Sequence, residues 1–112
     1  MQDAEQVHAD ATMAAMAKAL GHPARLRILR LLARTPGCIG GDIVDAVGLA
    51  QSTVSEHLRI LRDAGVIKGR IDPPRVCYSL APGALTSLSG LIAELEAAVE
   101  ETDRCVIPSA VR

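Results

Sequence analysis

The sequence predicts a mainly α fold with a small β-hairpin wing, a homodimeric winged helix-turn-helix in the order α-α-α-α-β-β-α. Three observations predict it. Two helical stretches, DIVDAVG and LAQSTVSEHLRILRDAG, follow one another across a glycine. Directly after them the apolar spacing changes from helical to that of short strands. The 112-residue chain is also 1 % aromatic, with one Tyr and neither Phe nor Trp. Its core is therefore Leu, Ile, Val, Ala and Met, side chains that suit closely packed helices. One domain spans residues 1–112, and so lean a core favours an oligomer interface that supplies further burial.

The first helix, residues 5–20, carries Met13, Met16, Ala17 and Leu20 at helical spacing and stops at Gly21. In HPARLRILRLLART, Pro23 suits a helix's first turn, where its missing N–H needs no partner. Leu26, Leu29 and Leu32 form an apolar face there, widened by Ile28 and Leu31, and His22 caps or packs at its start. Thr35-Pro36-Gly37 ends it.

The helix-turn-helix covers about 42–65, with Gly48 closing its first helix and Gly65 its second; Val54, Leu58 and Leu61 repeat on the second. VIKGRI and RVCYSL are two strands around Asp72-Pro73-Pro74, a wing at about 66–81. Pro82 opens a last helix at about 83–104. There Leu85, Leu88, Ile92, Leu95, Val99, Thr102 and Val106 step alternately by three and four, a heptad seam. Glu94, Glu96, Glu100 and Glu101 solvate its other faces, so Leu88, Ile92, Leu95 and Val99 are expected to meet a partner helix.

Net charge is −1, but its distribution is uneven. Residues 18–75 hold ten Lys/Arg against five Asp/Glu, whereas both flanking segments are acidic. A basic middle between acidic ends suits a chain whose centre meets phosphate. The acidic start lacks the features of a signal peptide, no apolar run is long enough to span a bilayer, and three widely spaced cysteines do not form a secreted disulfide framework. A cytoplasmic protein with reduced thiols is the expectation. No nucleophile–base pair, phosphate loop or catalytic metal motif is present, so an enzyme is not expected.

The second helix of the pair opens with short polar side chains. Gln51, Ser52, Thr53, Ser55 and His57 are the expected DNA-facing residues, since Gln pairs bidentately with adenine and hydroxyls reach base edges or phosphates. Arg59 is placed for the DNA backbone, and Lys68, Arg70 and Arg75 put positive charge along the wing. Double-stranded DNA is the expected partner.

The stretches ALGHPARLRILRLL, DIVDAVGLAQSTVSEHLRILRDAGVIKGR and RVCYSL resemble the ArsR/SmtB repressors in order and spacing. The resemblance covers about residues 13–81. It implies a homodimer built on the first and last helices. It also implies an apo-repressor on an operator, released by a metal, metalloid or thiol-reactive signal, and the two reading helices of a dimer then call for an inverted-repeat operator. Zinc-type members use His and acidic residues on the last helix, which has no His here. His8, His22 and His57 lack a cluster spacing. The family's CxC pair is half present, with Cys38 kept and Gly40 in the second place.

Some members instead carry cysteines in a pattern of which Cys38, Cys77 and Cys105 are kept here, with Gly40 and Ser79 at the other places. In a winged helix the segment before the first reading helix runs beside the wing's second strand, so Cys38 and Cys77 can be neighbours. Cys105 can reach them from the last helix. Three soft thiolates suit trivalent arsenic, and arsenite is the expected inducer, with no catalytic cofactor. The alternative is a thiol-redox or persulfide sensor that uses a Cys38–Cys105 bridge, with Cys77 a bystander. Each cysteine also fits the plainer role of a small buried hydrophobe.

Overall fold

The computed structural model describes residues 4–35, 42–72 and 75–101, with residues 42, 72, 75, 100 and 101 described by backbone alone. Its elements are α1 (Ala4–Leu20), α2 (Pro23–Arg34), α3 (Asp42–Val47), α4 (Gln51–Asp63), β1 (Ile67–Asp72), β2 (Arg75–Leu80) and α5 (Thr86–Glu101).

Local chemistry explains the boundaries. His22 is the N-cap of α2, its Nδ1 accepting from the Ala24 amide at 3.0 Å, with Pro23 in the first turn. Capping is thus the role His22 takes. Gly48 and Gly65 follow α3 and α4 with φ of +76° and +83°, a left-handed turn that strains any residue with a Cβ. The hairpin is antiparallel, in a register that pairs Ile67 with Leu80, Arg70 with Cys77 and Ile71 with Val76. The Ala81 amide donates to the Val66 carbonyl at 3.0 Å and ties the base of the wing to the end of α4.

The core gathers Ala19 of α1, Ile28 and Leu32 of α2, Ile43 and Val47 of α3, Val54, Leu58 and Leu61 of α4, and Val66 and Ile67 at the wing's base. Ile28 and Leu61 are fully buried. The reading helix is thereby packed along one complete face, which holds its other face toward solvent.

The structure corrects three expectations about helical faces and ends. On α2, Ala24, Ile28 and Leu32 make the buried stripe and Leu26 is exposed. Apolar residues cover more than one face of this helix, and the neighbours α3 and α4 select the face. The last helix starts at Thr86, not 83, because residues 82–85 form a turn in which Gly83 has φ +71°. Leu88 is buried within its own protomer and shares a small apolar cleft with Met13, Ala14 and Ala17 of α1. The expectation that Leu88 meets a partner helix thus falls on a residue already buried within its own protomer. Ile92, Leu95 and Val99 are 49 %, 57 % and 64 % exposed. Thr102 and Val106 of the seam lie outside the described residues.

Candidate nucleic-acid interface

The exposed start of α4 is the centre of the site. Gln51, Ser52, Thr53 and Ser55 are all exposed, while Val54, Leu58 and Leu61 bury the opposite side of the helix. The helix N-cap is Ala50, which offers no side-chain acceptor to the first turn. The first-turn amides are left without a side-chain cap and point out of the helix end with the positive end of its dipole. Such a terminus suits a phosphate oxygen.

His57 is the exception among the polar residues of α4, and the expectation that it faces DNA is corrected here. It is 8 % exposed and lies on the inward face. Arg25 Nε donates to its Nδ1 at 3.2 Å, and its ring meets the His22 ring at a centroid distance of 4.5 Å. Burial lowers the His57 pKa from its ordinary value, and the neighbouring His22 and Arg25 lower it further, against Glu56. A buried ring spent on these contacts is not presented to a duplex.

Arg59 is half exposed and already paired. Its Nε donates to Glu56 at 2.9 Å and its Nη1 to Asp63 at 3.0 Å. The Arg59 hydrogen bond holds the Glu56 carboxyl below its usual range. A phosphate contact by Arg59 would have to share the guanidinium with two carboxylates. On the wing, Lys68 and Arg70 are exposed on the same face of β1. Gly69 between them keeps the hairpin thin, since a Cβ there would come within 3.2 Å of the Tyr78 ring. Arg75 begins β2, and its side chain lies outside the described residues.

The thiols are only partly in view. Cys38 and Cys105 lie outside the described residues. Cys77 is half-buried on β2 and disulfide-bonded, with its partner also outside them. The expected Cys38–Cys77–Cys105 site and the alternative Cys38–Cys105 bridge both include residues outside the described ones. Among the described residues no group of three or more His, Cys, Asp or Glu side chains could hold a metal ion. No helix among them is long and apolar enough to cross a membrane.

Sequence reasoning passed over Arg25, which joins three elements through one guanidinium. Besides His57 it donates through Nη1 to the Lys18 and Ala19 carbonyls at 3.3 and 3.1 Å, in the last turn of α1. Nothing in residue spacing signals a contact between positions 25 and 57.

Comparison with known proteins agrees with this architecture. The profile described as "Bacterial regulatory protein, arsR family" matches residues 22–68. The chain is 37 % identical over 89 residues to the HTH-type transcriptional regulator YgaV of Escherichia coli K12, covering 79 % of this chain and 90 % of that one. It is 38 % identical over 82 residues to a "Transcriptional repressor SmtB homolog" of Synechocystis, covering 73 % and 61 % of the two chains. The fold superposes with a TM-score of 0.69 on the solution structure of the homodimeric winged helix-turn-helix DNA-binding domain Mb0332 of Mycobacterium bovis, called a possible ArsR-family regulator. That match has 26 % identity and covers 96 % of this chain and 97 % of that one. The chain belongs to the ArsR family, as a DNA-binding winged helix-turn-helix transcriptional regulator and not an enzyme.

Proposed function

We propose that this regulator is a homodimeric repressor that holds an inverted-repeat operator and releases it when a thiophilic metalloid, trivalent arsenic, binds its cysteine thiolates. The observation that carries the DNA part is the division of α4 into a fully packed inner face and an exposed, uncapped polar start. Gln51, Ser52, Thr53 and Ser55 read base edges from there. Lys68 and Arg70, with Arg75 and a shared Arg59, position the duplex through phosphates. Ile92, Leu95 and Val99, exposed together with Val7 of α1, supply the apolar seam for a second copy. The M. bovis neighbour is described as homodimeric, which supports the same assembly for this chain. Two reading helices then enter successive major grooves about 34 Å apart. Repression, rather than activation, is supported by the Synechocystis relative, which is named a repressor.

The signal is assigned to sulfur. The disulfide at Cys77 means that a second sulfur lies within bonding reach of it. Reduced, such a pair presents two soft thiolates, and Cys38, Cys77 and Cys105 together would offer the three that trivalent arsenic takes. The same disulfide favours a second reading, a thiol-redox or persulfide sensor with Cys77 as a participant. There, two thiols give up two electrons and two protons to an oxidant as the S–S bond forms.

One titration tests both. Operator binding is followed by fluorescence anisotropy with arsenite under full reduction, and separately with an oxidant followed by reductant. Release by arsenite under reduction is the expected result. Release only by oxidant, reversed by reductant, replaces the metalloid with the redox signal. No release in either arm rejects sulfur as the sensor.

A further inference from the structure

We propose that Arg25 is a positioning residue for DNA binding: through His57 it sets the reading helix against the end of α1, and it does so only while His57 is neutral. One guanidinium, that of Arg25, reaches both α1 and α4. Its Nη1 holds the Lys18 and Ala19 carbonyls, which close α1 and carry the negative end of that helix's dipole. Its Nε reaches His57 Nδ1 at 3.2 Å. Arg25 itself sits in the first turn of α2, anchored by the His22 cap and the buried Ala24 beside it. Three helices therefore meet on one planar, rigid group.

Apolar packing holds α4 down but is not directional. Val54, Leu58 and Leu61 decide which face of the helix is buried. A hydrogen bond fixes distance and angle. His57 lies one turn beyond Thr53 on α4, so its anchoring bears directly on the pose of the exposed polar start.

The contact needs a particular protonation state. Nδ1 accepts, so the neutral ring carries its proton on Nε2. Adding a proton turns Nδ1 into a donor that faces the Arg25 donor, and the bond is lost. The groups that act on the ring are His22 at the cap of α2, Arg25 of α2 and the exposed Glu56 of α4. Two of these three groups oppose a second positive charge. Lys18 of α1 meets Arg25 only through its carbonyl, and Arg59 and Asp63 line the neighbouring cleft. Arg59 already has its carboxylate partners.

The test uses the full chain and an operator duplex. Arg25→Ala should weaken operator binding by about tenfold or more at neutral pH, the loss expected for a hydrogen bond from a charged donor. Its salt slope should match the wild type, because a positioning residue releases no counterions. His57→Asn keeps an acceptor near the place of Nδ1 but cannot titrate. The wild type should lose affinity relative to His57→Asn as pH falls below the ordinary histidine range, and Arg25→Ala should not show that loss. Far-UV circular dichroism and sedimentation confirm that Arg25→Ala is folded and assembled. Should that variant not fold, the wild-type and His57→Asn profiles decide alone. Parallel pH profiles for those two, wild-type affinity in Arg25→Ala, or a salt slope reduced by about one would each overturn the proposal, the last by making Arg25 a phosphate contact.

Discussion

Arg70 on β1 and Cys77 on β2 stand directly opposite one another in the hairpin. Opposed residues of an antiparallel pair point to the same face of the sheet. The Arg70 cation, proposed to meet phosphate, therefore shares its face of the wing with the disulfide-bonded Cys77. Cys77→Ser should leave operator affinity under reducing conditions within about twofold, since a small half-buried side chain is replaced by one of similar shape. The same variant should lose the response to arsenite or to oxidant in the anisotropy titration. A full response retained in Cys77→Ser would make this cysteine a packing residue.

Arg70→Ala should weaken binding to all duplexes alike and reduce the salt slope by about one. Gln51→Ala should act differently, shifting base preference at one position by about 1–3 kcal/mol with the salt slope kept. Binding to an operator and its single-base variants across a salt series separates the two. If Arg70→Ala altered base preference instead, the wing would be a reader and not a backbone contact.

Leu95 is 57 % exposed in the protomer, so Leu95→Glu should leave the protomer folded. Burying that carboxylate in an apolar seam costs several kcal/mol, on the order of 2–7 even for a neutral polar group. Sedimentation should show monomer, with operator binding lost at the same protein concentration. A dimer of undiminished strength would move the interface elsewhere.

Ala50 caps α4 without a side-chain acceptor. Ala50→Ser should add stability of about 0.5–2 kcal/mol by accepting from a first-turn amide. If those amides serve phosphate, the same change should weaken operator binding. Denaturant midpoints and operator titrations are the paired measurements. A gain in stability with unchanged binding would remove the helix end from the DNA contacts.

Protein stability should also depend on pH through His57, whose pKa is lowered mainly by burial. The unfolded chain then binds a proton that the folded chain resists. This contribution is fully present above the ordinary histidine value of 6.5 and is lost as pH falls below it toward the lowered folded-state value. Thermal midpoints should fall over that range in the wild type more steeply than in His57→Asn.

Much of this molecule follows from residues read along the chain. Pro23, Gly48 and Gly65 mark element boundaries because each restricts or releases the backbone at its own position. The change in apolar spacing after Gly65 separates helices from hairpin, and the polar run from Gln51 marks the exposed start of α4 proposed to read DNA. These signals are local, and the architecture they predict is the one observed. The tertiary structure decided what periodicity leaves open. On α2 the Ile28 stripe, not the Leu26 side, meets α3 and α4. Leu88 belongs to its own protomer because α1 covers it, whereas Leu95 and Val99 lie beyond that cover. His57 lies on the buried face of α4 with Val54, Leu58 and Leu61, and there it meets Arg25, thirty-two residues earlier. Spacing tells which residues share a face of one helix; which face is covered, and by which distant side chain, is set only when the helices pack.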